Sequence, residues 1–139
     1  MSGVDFQVIE HTADIGIQAR GKDLKEAFAA AALGLFSIIA DVEGIREDTC
    51  REVKVTASDV EGLLVVWLNE LIFLFDSEGL LFRRFEIQYL EPQGLHALVF
   101  GEKVDSSRHH IKLGVKAATY HMLSVAKDDG YTVRVLFDI

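Results

Sequence analysis

Three acidic groups, widely separated along the chain, are the first whose chemistry asks for an explanation. Asp14 lies in EHTADIGIQARG, residues 10 to 21, a stretch that otherwise reads as strand, while Asp138 and the terminal carboxylate of Ile139 close RVLFDI, residues 134 to 139. Asp is depleted from strand interiors because its short carboxylate competes for backbone N–H groups and is costly to desolvate. Carboxylates are hard oxygen donors, suited to calcium or magnesium rather than zinc. If the last strand pairs beside the strand containing Ile15, the three groups converge, and such a cluster repels itself unless a cation lies among them. The plainer reading makes Asp14 a turn residue and Asp138 and Ile139 a solvated end, and composition alone favours it. Against it, the run up to Phe137 is apolar, which predicts that the carboxylates beyond it are held near the fold.

Other chemistry-bearing residues are thinner. His11 and Asp14 could form an acid–base pair, but no serine or cysteine sits in an elbow or triad context, and a hydrogen bond from His11 to a nearby carboxylate is the preferred reading. Lys116 stands among small apolar residues in VKAATYH, where its stem can run along the apolar surface and its head reach water. Asn69 and Glu70 interrupt an apolar helix, a place where such residues more often cap or bond a neighbouring segment than bind a ligand. Glu102 after Gly101 says little alone. No GxxxxGK[ST] or GxGxxG occurs, so nucleotide chemistry by this chain alone has little support.

The elements that must position these residues are legible in the pattern. Phe6 to Ile9 and Ile15 to Arg20 read as strands around HTAD, with Ile15, Ile17 and Ala19 alternating. Asp23 stands three residues before Glu26, the capping-box spacing, and opens a helix with Leu24, Ala27, Phe28, Ala31 and Leu35 on one face. Arg51 to Thr56 alternates as a half-buried strand. Ser58 or Asp59 caps a second helix, with Glu61 in the capping-box position relative to Ser58. That helix is apolar on nearly every side from Leu63 to Phe75, so other elements must enclose it. Phe82 to Leu90 and Leu95 to Glu102 form a hairpin around Pro92-Gln93-Gly94, and Val115 to Ala126 and Tyr131 to Asp138 form another around Asp128-Asp129-Gly130. The polar segment from Lys103 to Leu113 reads as an exposed loop. This order predicts an α+β fold, two helices packed on a largely antiparallel β-sheet, in a single domain over residues 1–139.

Composition bounds the partners. The chain has 139 residues, 50% of them hydrophobic, with 14 basic and 22 acidic side chains for a net charge of −8. That charge repels phosphate backbones, and no basic run is longer than Arg83-Arg84, so direct binding of nucleic acid is disfavoured. Metal ions and basic protein surfaces are the expected partners. Cys50 stands alone, which excludes an intrachain disulfide and fits a reducing, cytoplasmic compartment. MSGVDFQVIE reads as neither a signal nor a transit peptide. Leu63 to Phe75 spans about 13 residues against the roughly 20 that a bilayer requires, so no membrane association is expected.

Taken together, HTADIGI (11 to 17), AALGLF (31 to 36), WLNELIFLFD (67 to 76), GE (101 to 102), VKAATYHML (115 to 123) and RVLFDI (134 to 139) resemble the archease family, in the family's order and across nearly the whole chain. The resemblance implies a small non-catalytic accessory protein of the RtcB-type RNA ligase of tRNA splicing and RNA repair. Such a protein promotes nucleotidylation of the ligase's active-site histidine and sustains multiple turnover. It associates with tRNA only through the ligase. The resemblance further implies a calcium ion, with magnesium as the alternative, held by Asp14, Asp138 and the Ile139 carboxylate. AATYH departs mildly from the family, which more often has a β-branched residue before Thr119. Two competing expectations are a metal-dependent hydrolase using His11, and a chaperone-like protein offering the apolar helix as a client surface.

Overall fold

The computed structural model describes residues 5–10 and 14–139. Its elements run β1 (Asp5–Glu10), β2 (Ile15–Gly21), α1 (Leu24–Ile39), a 3-10 turn (Val42–Gly44), β3 (Thr49–Thr56), α2 (Val60–Glu78), β4 (Leu80–Glu91), β5 (Gly94–Lys103), β6 (Ala117–Lys127) and β7 (Tyr131–Asp138). The fold is α+β, as expected, but the strands divide into two antiparallel sheets: four strands in the order β1-β2-β7-β6, and three in the order β3-β5-β4. Both helices touch both sheets, α1 reaching β2 and β4, and α2 reaching β6 and β3. Each helix therefore buries two faces rather than one stripe.

This explains the helix sequences. An amphipathic helix on one sheet shows a single apolar stripe, whereas a helix enclosed between layers is apolar nearly all round. α2 buries Leu63, Leu64, Val65, Trp67, Leu68, Leu71, Ile72 and Leu74, and only Phe73 of its large apolar residues is well exposed. α1 uses small residues to come close: Ala27, Ala30, Ala31, Ala32 and Gly34 are buried, and a Cβ on Gly34 would lie 3.0 Å from the Ile17 side chain. The helices are tied by the Trp67 indole N–H, which donates to the Phe28 carbonyl at 3.0 Å, so this buried polar atom is satisfied.

Local capping chemistry sets the helix starts. Asp23 accepts from the Glu26 N–H at 2.9 Å, and the Glu26 carboxylate reaches back to the Lys22 N–H, one residue beyond the capping-box partner. For α2 the cap is Asp59, which accepts from the Gly62 N–H at 2.7 Å, so Asp59 rather than Ser58 fills the role. Gly79 ends α2 at φ 66°, the left-handed conformation that glycine adopts without steric penalty. The β6–β7 turn is fastened by Asp128, which accepts from the Gly130 N–H and the Thr132 hydroxyl.

Candidate functional site

β2 pairs with β7 in antiparallel register, Ile15 opposite Phe137, Ile17 opposite Val135 and Ala19 opposite Val133. Residues 14 and 138 are the next positions beyond the Ile15–Phe137 pair, so the two acidic residues emerge at the same end of neighbouring strands. Ile17, Val133, Val135 and Phe137 are buried and hold this register, because a slip by one residue would turn the core set of each strand outward. Asp14 is half-buried, with Oδ1 closed off from solvent, whereas Asp138 and Ile139 are exposed. His11 lies outside the described residues.

β6 completes this rim. Ala117 pairs with Asp138, the Lys116 N–H donates to the Asp138 carbonyl at 2.8 Å, and the Thr119 hydroxyl donates to the Leu136 carbonyl at 3.1 Å. On the other side of β6, Asn69 of α2 accepts the Ala118 N–H at 2.8 Å. The polar interruption of the apolar helix is thus spent on the backbone of a neighbouring strand. Lys116 is exposed, as its stem length allows.

The donor set fits a hard cation by chemistry, since all three groups are carboxylate oxygens. Among the described residues no three His, Cys, Asp or Glu side chains are grouped to hold a metal ion. The expected set has only two such side chains, its third member being the chain terminus.

A second carboxylate site was not foreseen. Glu102, near the end of β5, is buried; its Oε2 accepts from the Arg46 N–H at 2.7 Å and pairs with His109 Nε2 at 2.9 Å, while Oε1 accepts from Arg108. His109 Nδ1 accepts the Asp105 N–H at 2.8 Å, so in the neutral ring the proton sits on Nε2 and is donated to Glu102. Burial pushes the Glu102 carboxyl up, but the hydrogen bonds from Arg46, Arg108 and His109 outweigh it and hold the group below the ordinary glutamate range. The segment after β5 is therefore not wholly an exposed loop: His109 is buried, and the segment is clasped to the core. The GE pair that signalled little alone has a double cause. A Cβ on Gly101 would fall 1.8 Å from the Leu81 carbonyl oxygen, and Glu102 is the clasp. Arg108 and His109, six and seven residues after Glu102, are the sequence's trace of the clasp, but nothing local marks them as turned inward.

Comparison with known proteins agrees with this architecture. The model of the Archease protein family matches residues 6–139. Protein archease of Methanosarcina barkeri is 37% identical over 142 residues, covering 99% of this chain and 97% of the relative, and that of Pyrococcus abyssi is 44% identical over 121 residues, covering 85% of each. A solution structure of a Methanobacterium thermoautotrophicum protein superposes with a TM-score of 0.85 at 35% identity, covering 100% of both chains. The crystal structure of an archease from Thermotoga maritima, described as a possible chaperone, superposes with a TM-score of 0.63 at 26% identity over 94% of each chain. With the family model matched over nearly its full length, this chain belongs to the archease family.

Proposed function

We propose that the chain is a non-catalytic accessory protein of an RtcB-type RNA ligase, acting in tRNA splicing and RNA repair by promoting guanylylation of the ligase and its repeated turnover. Family membership supports the partner, and the observation that carries the site is the β2–β7 pairing, which brings residues 14 and 138 to one rim. Asp14, Asp138 and the Ile139 carboxylate would hold calcium, or magnesium, whose charge would offset most of their mutual repulsion while leaving the rim net acidic. The chain's own part is to present this rim rigidly, through the buried β2–β7 core and the Asn69 bond to β6. Its net charge of −8 suits a basic surface of the kind that binds RNA phosphates, where opposite charge speeds encounter and gives salt sensitivity.

The chaperone-like alternative required an exposed α2, and that helix is buried along most of its length. Single-turnover guanylylation of the ligase tests the proposal. The wild-type chain should accelerate it, and Asp138→Ala should lower that acceleration at least about tenfold, a loss of roughly 1.4 kcal/mol or more in barrier reduction. Equal acceleration by both proteins would remove the acidic rim from the mechanism. Phosphoester turnover by the pure chain with a divalent metal, absent from Asp14→Asn, would instead favour a hydrolase.

A further inference from the structure

The β6–β7 pairing is interrupted beside the acidic rim. Thr119 faces Leu136 and Ser124 faces Arg134, so residues 120–123 of β6 stand against Val135 alone and the strand must bulge outward. Within the bulge Met122 has φ 56°, the only non-glycine residue with positive φ among the described residues. A left-handed backbone is costly for an L side chain and persists only where its surroundings enforce it. Here they do. Arg134 Nε–H donates to the Met122 carbonyl at 3.1 Å, and the His121 N–H donates to Thr119 Oγ1 at 3.3 Å. The protrusion is built, not frayed.

What it presents is mainly apolar, with the exposed His121 between two larger apolar side chains. Tyr120 is 67% exposed, the highest value among the exposed large hydrophobic residues, and Met122 is 45% exposed. Ile139, also 45% exposed, extends the same rim. At about 3.3 Å per residue, Tyr120 lies roughly 10 Å along β6 from Ala117, the residue opposite Asp138. One side of an ordinary interface, about 800 Å², spans both.

We infer that the Tyr120–Leu123 bulge is the apolar anchor by which this rim grips its partner, the carboxylates of residues 14, 138 and 139 meeting basic groups beside it. This rests on the reading of the partner as an RtcB-type ligase and adds the contact that holds it. Tyrosine and methionine are enriched in interface cores, where a few apolar anchors carry most of the affinity while charges steer approach. A second copy of the chain is a poorer occupant, because it would set like-charged rims against each other.

The test is affinity for the purified ligase of the same organism, alongside guanylylation and the urea midpoint. Tyr120→Ala should weaken binding about tenfold or more, and Met122→Gly about fivefold. Glycine relieves the positive φ, so Met122→Gly should at the same time leave the urea midpoint unchanged or raised, an outcome a purely structural bulge would show without any loss of binding. Tyr89→Ala, exposed on the other sheet, should bind as wild type. If wild type binds and accelerates the ligase and both bulge variants bind equally well, the anchor is overturned while the functional reading stands. If wild type neither binds nor accelerates, both are overturned. A loss confined to self-association in sedimentation would assign the bulge to a dimer contact and overturn the anchor.

Discussion

The buried carboxylate of Glu102 and the carboxylates at the end of β7 put the same chemical group to opposite uses. Glu102 is removed from water and given donors from three directions, so it is stabilised as an anion and knits β5 to the segments on either side of it. Asp138 stands exposed where β2 and β7 end side by side, at the rim that residue 14 shares. A carboxylate whose donors are supplied by the fold is structural. A carboxylate left accessible at an edge, as that of Asp138 is, is suited to taking its counter-charge from outside.

The largest expected effect falls on the structural member of the pair. Glu102→Ala leaves Arg108, His109 and the Arg46 N–H facing a hole, and should cost about 3 kcal/mol of unfolding free energy by urea titration, below the upper end for buried pairs because Arg108 is partly exposed. The same clasp predicts a pH dependence of definite sign. Because the folded state holds the Glu102 carboxyl below its ordinary value of 4.5, its contribution is complete above that value and is lost as pH falls from there through the lowered folded pKa. Glu102→Gln should flatten this acid limb. A cost for Asp138→Ala equal to that for Glu102→Ala, without metal, would break the comparison.

Next in size is the response of the rim to the proposed ion. Calcium at a hundred times its dissociation constant should stabilise wild type by about 2.7 kcal/mol, and Asp138→Ala at the same concentration by far less. Differential scanning calorimetry with and without chelator reads this directly, and an identical shift in both proteins would place any ion elsewhere. The smallest effect sharpens the link between the rim and α2. Asn69→Ala strands the Ala118 N–H and should cost about 1.5 kcal/mol, with faster amide exchange at the start of β6 before other core amides.

Much of the fold is legible along the chain because its causes are local. The Asp23 cap, the Pro92-Gln93 and Asp128–Gly130 turns, and the all-round apolar character of α2 follow from backbone and side-chain preferences acting over a few residues. The candidate rim was partly legible too: Asp14 is conspicuous in a strand-like stretch, and the apolar run before Asp138 marks that residue as close to the core. The Glu102 clasp was not, since a polar run such as Lys103 to Leu113 is usually solvated and nothing local says that His109 turns inward. The bulge was equally hidden, because residues 115–126 alternate well enough to read as one unbroken strand.

The sequence by itself determined the helices, the hairpins, the acidic charge and the chemical type of the rim's donors, since each depends on contacts between residues near in the chain or on composition alone. Tertiary structure decided the division into two sheets, the pairing of β2 with β7 across more than a hundred residues, the inward turn of His109 and the outward turn of Tyr120. These choices depend on which apolar faces can be buried together, and that is settled only when distant segments compete for the same core.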